Sequence, residues 1–179
     1  MKKILKTAVL SAVVFIALIT LASCGSKGED LIVLYTNDVH CSIDGYSLLA
    51  EYAAELKARG ENVVLADGGD FVQGTMLGKI DEGASVISIM NSVGYDFAVP
   101  GNHDYDYGTD VFLKNAGDSR FSFISCNFPG TQKEAAAFSH EPFFLSEFGG
   151  HTVAFVGIEE VKNTADCISS VQNAVDEAR

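Results

Sequence analysis

Basic residues are scarce in this chain: 12 Lys and Arg stand against 24 Asp and Glu among 179 residues, for a net charge of −12. So acidic a surface repels nucleic acid polymers and offers a membrane no polybasic patch. A small phosphorylated substrate could bind only where local cations override that field, and metal ions are the obvious source of them. The apolar stretch from Thr7 to Thr20 is too short for a comfortable transmembrane helix, which needs about 20 residues. Cysteines number only four and are spread through the chain, which excludes a disulfide-framework fold. No repeat, low-complexity block or internal linker is visible, so fibrous classes are excluded too. What remains is 47% hydrophobic and 20% charged, the balance of one globular domain large enough to bury a core.

The N-terminus is read separately. Lys2, Lys3 and Lys6 precede the apolar stretch in the order of an export signal. Leu21-Ala22-Ser23-Cys24 then resembles the bacterial lipobox, which implies removal of residues 1–23 and lipidation of Cys24. An ordinary signal peptide that happens to contain a cysteine is the alternative. Residues 24–30 would form a tether to a membrane facing the extracytoplasmic side. Without residues 1–23, nine basic residues oppose the 24 acids, a net charge of about −15.

From Leu31 onward, strand-like and helix-like segments alternate, the pattern of an α/β layered fold. Apolar runs at Leu31–Tyr35, Val63–Ala66, Phe97–Val99 and Phe121–Cys126 read as strands. Helical spacing marks Ser47–Arg59, Ala84–Val93, Thr109–Ala116 and Ser169–Arg179. Phe143–Phe148 and His151–Ile158 flank Gly149-Gly150 and predict a β-hairpin.

Three polar clusters directly follow apolar strands: Asn37-Asp38-Val39-His40, Asp67-Gly68-Gly69-Asp70 and Gly101-Asn102-His103-Asp104. In an open α/β sheet, ligands gather beyond the carboxyl ends of the strands, so the three can converge. Carboxylate, imidazole and amide oxygen suit zinc, manganese or magnesium. Any one cluster could equally be turn chemistry, since Asp and Asn cap backbone groups. His140 and His151 lie away from strand ends and are expected to be exposed polar residues. Cys41 is expected to be a packing residue with its thiol turned away from His40, and Asp104 to face solvent or cap a backbone group.

In order and spacing the clusters resemble D-x-H, G-D-x-x-x-G and G-N-H-(D/E) of the calcineurin-like metallophosphoesterases. Leu34 to His40, Gly69 to Thr75 and Gly101 to Asp106 are similar to the 5′-nucleotidase and UDP-sugar hydrolase branch. The resemblance implies a layered metallophosphoesterase β-sheet with flanking helices and two divalent ions. It makes Asp38 and His40 ligands of one ion, Asp70 a bridging carboxylate and Asn102 a ligand of the second. His103 and Asp106 become a catalytic dyad, and the substrate a small phosphorylated molecule of the nucleotide class.

The resemblance also has a limit. The family supplies two further histidine segments and a C-terminal nucleotide-binding domain that this sequence does not contain, and Glu159-Glu160-Val161-Lys162 stands where a threonine- and proline-containing turn is expected. The fold is therefore expected to be incomplete at its C-terminus, with residues 31–179 the N-terminal portion of the domain. Three readings stay open: a phosphoester hydrolase, which a separate polypeptide would complete; a non-catalytic metal- or ligand-binding lipoprotein; and an inactive truncated product.

Overall fold

The computed structural model describes residues 30–131, 134 and 140–179. Residues 1–23, Cys24 and the tether up to residue 29 lie outside them. Strand β1 (Leu31–Thr36) leads to helix α1 (Tyr46–Ala58) and strand β2 (Asn62–Asp67). Helices α2 (Met76–Asp81) and α3 (Ala84–Val93) follow, then strand β3 (Phe97–Ala98) and a 3-10 turn at Asn102–Tyr105. Helix α4 (Thr109–Asp118), strand β4 (Ser122–Phe123), the strand pair β5 (Phe143–Phe148) and β6 (His151–Val156), and helix α5 (Thr164–Glu177) complete the chain.

The first four strands form one parallel sheet in the order β1-β2-β3-β4. Parallel strands that are covered on both faces carry continuous apolar runs. Val64, Leu65 and Ala66 on β2 are all buried, and alternate residues serve opposite faces. Leu65, Ala98 and Phe123 join the larger core with Val86, Ile87 and Met90 of α3 and Phe112 of α4. Val64, Ala66, Phe97 and Ile124 form a second cluster against Phe144 and Phe155 of the hairpin. There the Phe97 ring lies 5.1 Å from Phe144 and 5.2 Å from Phe155. Full burial of each such side chain contributes about 1.5–3 kcal/mol.

The predicted hairpin is present, with β5 and β6 paired antiparallel from Phe143↔Val156 to Phe148↔His151. Gly149 and Gly150, at φ of 53° and 81°, supply the two left-handed positions that a tight hairpin turn requires. Most boundaries fall within two residues of expectation, and two differ by more. Helix α5 begins at Thr164 rather than Ser169, because the Asn163 side chain caps it by accepting from the Ala165 N–H at 3.0 Å. The strand expected over 121–126 pairs as a ladder only at 122–123, and beyond it Ile124 bridges to Glu141. Among the described residues no helix is long and apolar enough to cross a membrane.

Candidate metal centre

The loops after β1, β2 and β3 lie side by side at one end of the sheet, fastened by their backbones. Gly68 N–H donates to Thr36 O, Asp38 N–H to Gly69 O, His40 N–H to Asp70 O and Cys41 N–H to Phe71 O, at 2.8–3.0 Å. The chain bends sharply here. Asp38, His40, Cys41 and Asp70 all have left-handed backbones, with φ between 45° and 60°. A non-glycine residue in that region costs of order 1–3 kcal/mol, and such strain concentrates at functional sites.

The bend brings Asp38, His40 and Asp70 together, with one ligating atom from each lying within 4.8 Å of the others. His40 Nδ1 donates to the Gln73 carbonyl at 3.1 Å, which leaves Nε2 as the nitrogen available for a ligand. That nitrogen lies 3.9 Å from Asp38 Oδ1. An ion between them would be shared by the nitrogen lone pair and the carboxylate. The donor set of one imidazole and two carboxylates fits a divalent metal, and the backbone carbonyl behind the histidine is the outer support typical of metal-bound imidazoles.

The motif glycines leave the necessary room. A Cβ on Gly101 would fall 2.2 Å from Asp70 Oδ1, and one on Gly74 would fall 2.4 Å from the His40 carbonyl oxygen. Asn102 begins the 3-10 turn beside this cluster, exposed, between Gly101 and His103. His103 N–H donates to Asp70 Oδ1 at 2.8 Å, so the third loop is tied to the second. The His103 ring packs edge-on against His40 with centroids 5.4 Å apart, and its Nδ1 lies 2.8 Å from Asp106 Oδ2. The hydrogen bond to the Asp106 carboxylate raises the imidazole pKa above its ordinary value.

The structure refines several of these expectations. Of the two roles expected for Asp104 it takes the second, capping backbone groups: it is 2% exposed, and its carboxylate accepts backbone N–H groups from Asp70, Phe71, Val72 and Gly101 at 2.8–3.1 Å. Burial drives its pKa up to about 6 against the four amides that pull it down. Cys41 is buried as expected, with a left-handed backbone, and its thiol donates to Phe71 O at 3.3 Å. His140 is half-buried against the Phe128 ring, whereas His151 is exposed. Cys126 is half-buried and lines a cavity.

Sequence reasoning missed two buried acids. Asp67 accepts from the Thr36 hydroxyl, which also contacts Tyr95 Oη at 2.6 Å, and from Gly69 N–H at 2.7 Å. Burial raises its pKa to about 7. Glu159 lines a cavity of about 740 Å³ that Asn102 also lines, and it accepts from the Tyr105 hydroxyl at 2.9 Å. Its backbone N–H donates to Asn127 Oδ1 at 2.8 Å, and the Asn127 amide donates back to the Glu159 carbonyl at 3.3 Å. The one sequence signal was the departure of residues 159–162 from the family's turn.

The calcineurin-like phosphoesterase family model matches residues 31–166. The chain is 31% identical over 157 residues to the snake venom 5′-nucleotidase of Gloydius brevicauda, covering 75% of this chain and 26% of that protein. It is 28% identical over 155 residues to the 5′-nucleotidase of Rattus norvegicus, covering 74% and 26%. Among solved structures, the 5′-nucleotidase precursor from Thermus thermophilus aligns with a TM-score of 0.70 at 22% identity, over 82% of this chain and 34% of that one. The chain thus spans about a quarter of the length of the curated relatives it matches.

Proposed function

Because the chain belongs to the calcineurin-like phosphoesterase family, we propose that it takes part in metal-dependent phosphoester hydrolysis, with small nucleotides as substrates, on the extracytoplasmic side of a membrane. The supporting observation is the convergence of Asp38, His40 and Asp70 within 4.8 Å, beside the His103–Asp106 pair. In this reading Asp38 and His40 would hold one ion, Asn102 would serve a second, and Asp70 would be shared between them. Bound ions would polarise the phosphoryl oxygens and make water a competent nucleophile near neutral pH. In hydrolysis a water oxygen bonds to phosphorus, the ester P–O bond breaks and the departing oxygen takes a proton.

His103 suits the last part of that reaction. The Asp106 carboxylate fixes its Nδ1 and favours the imidazolium, so the ring's other nitrogen can hold positive charge against the phosphoryl group and supply a proton to the leaving oxygen. Lipidation of Cys24 would tether this chemistry to the membrane, with residues 24–30 as the spacer and residues 31–179 as the phosphoesterase portion.

The direct test uses the full chain, in mild detergent because of its apolar residues 7–20. Hydrolysis of AMP and of p-nitrophenyl phosphate is assayed with added manganese or zinc. Activity lost in Asp70→Asn supports the proposal, and bound metal per chain, measured by mass spectrometry, distinguishes one ion from two. If the wild type neither binds metal nor releases phosphate, the proposal fails. Labelling with a fatty acid analogue, present in the wild type and lost in Cys24→Ala, tests the anchor.

A further inference from the structure

We propose that Asp104 is a positioning residue of the metal centre, the built-in anion that holds Asp70 in its ligating conformation. The proposal rests on the phosphoesterase reading of the same site. Successive backbone N–H groups around a left-handed residue form a concavity that binds anions. Residues 70–72 make one: Asp70 has φ of 60°, and the N–H groups of Asp70, Phe71 and Val72 all reach the Asp104 carboxylate. Oδ1 takes the N–H groups of Phe71 and Val72, and Oδ2 takes those of Asp70 and Gly101.

The loops are braced in both directions. Asp104, on the third loop, grips the backbone of the second, while Asp70 Oδ1, on the second, accepts the N–H of His103 on the third. The Asp70 carbonyl also accepts from His40 N–H at 2.9 Å, so the hold extends to the first loop. One buried side chain outside the ligand cluster therefore orients Asp70, and through it His40 and His103. The carboxylate form matters. Asparagine at 104 keeps one acceptor oxygen for two amides and turns an NH2 group toward the other two donors.

The test compares Asp104→Asn with Asn115→Ala in the full chain. Asn115 is a buried residue of α4 that donates to Glu82 O, outside the motif loops, so its loss lowers stability without touching the centre. Manganese affinity is read by titration calorimetry, stability by urea unfolding, and exchange of the amides of residues 70–72 and 101 by NMR. The expected result is at least about a tenfold loss of manganese affinity in Asp104→Asn, the size usual for outer supports of metal ligands. Faster exchange at those amides should accompany it, while Asn115→Ala keeps wild-type affinity despite its lower stability. If Asp104→Asn does not fold, Asp104→Glu keeps the charge but is too long to serve all four amides unshifted, and it should lose affinity while folded.

Wild-type affinity in whichever of the two Asp104 variants folds overturns the proposal, as does an equal loss in Asn115→Ala. A wild-type chain that takes up neither manganese nor zinc and releases no phosphate is a different failure. It overturns the phosphoesterase reading and the metal role of Asp104 with it.

Discussion

Replacing Asp67 with asparagine should flatten the pH dependence of stability. Asp67 is 1% exposed at the end of β2, and burial holds its pKa near about 7 against 3.8 for an ordinary aspartate. The folded chain therefore keeps this proton up to about neutrality, while the unfolded chain releases it near pH 3.8. Between those limits the native state binds more protons, so stability present below the unfolded pKa is lost as pH rises through the folded one. At about 1.4 kcal/mol for each pH unit of the gap, the loss attributable to Asp67 approaches about 4 kcal/mol by pH 8. Asparagine has no such proton to lose. Its carbonyl oxygen can still accept from Gly69 N–H, and its NH2 can donate to the Thr36 hydroxyl, which turns its own hydrogen to Tyr95. Urea unfolding from pH 4 to pH 8, in excess chelator, should therefore show the wild type falling away from Asp67→Asn as pH rises. Groups common to both proteins cancel in the difference. Parallel curves would refute the assignment of a neutral carboxyl to this position.

Two further outcomes follow from the site. Asp106→Asn removes the carboxylate that raises the His103 pKa, so the imidazole titration followed by proton NMR in the metal-free chain should move down toward 6.5, and any alkaline limb of activity should move to lower pH with it; an unmoved midpoint would mean that the dyad contact does not govern this histidine. Gly101→Ala places a methyl group 2.2 Å from Asp70 Oδ1 and 2.5 Å from the Asp70 backbone nitrogen, so it should weaken manganese binding and destabilise the fold by about 1–3 kcal/mol in urea unfolding.

Periodicity and motif position carry a large part of this architecture. Val63 to Ala66 reads as a buried strand because β2 is apolar on both faces, and the three polar clusters announce themselves by following strands. Helix α2 was not legible, since six residues including Gly78 cannot display a helical period. The Asn163 cap could have been read from its residue type but lay ahead of any visible apolar stripe. Asp104 and Asp67 show a different kind of blindness. Most of their partners are backbone amides and a hydroxyl from segments some 30 residues away, and backbone donors leave no trace in residue identity. A run of Asn-His-Asp-Tyr-Asp gives no sign of which carboxylate turns inward.

The left-handed backbones at the metal centre restrict which side chains natural variation can place there. Aspartate, asparagine and histidine tolerate that conformation several-fold better than most residues, and β-branched side chains scarcely at all. At Asp38, His40 and Asp70 the torsion admits the same short polar alphabet that coordination chemistry favours. Two independent filters thus act on each position. A change to glutamate at position 38 keeps the charge yet fails both, moving the oxygens by a methylene and losing a residue at ease in the bend. Conservative exchange, as a similarity table would score it, has little meaning at these three positions.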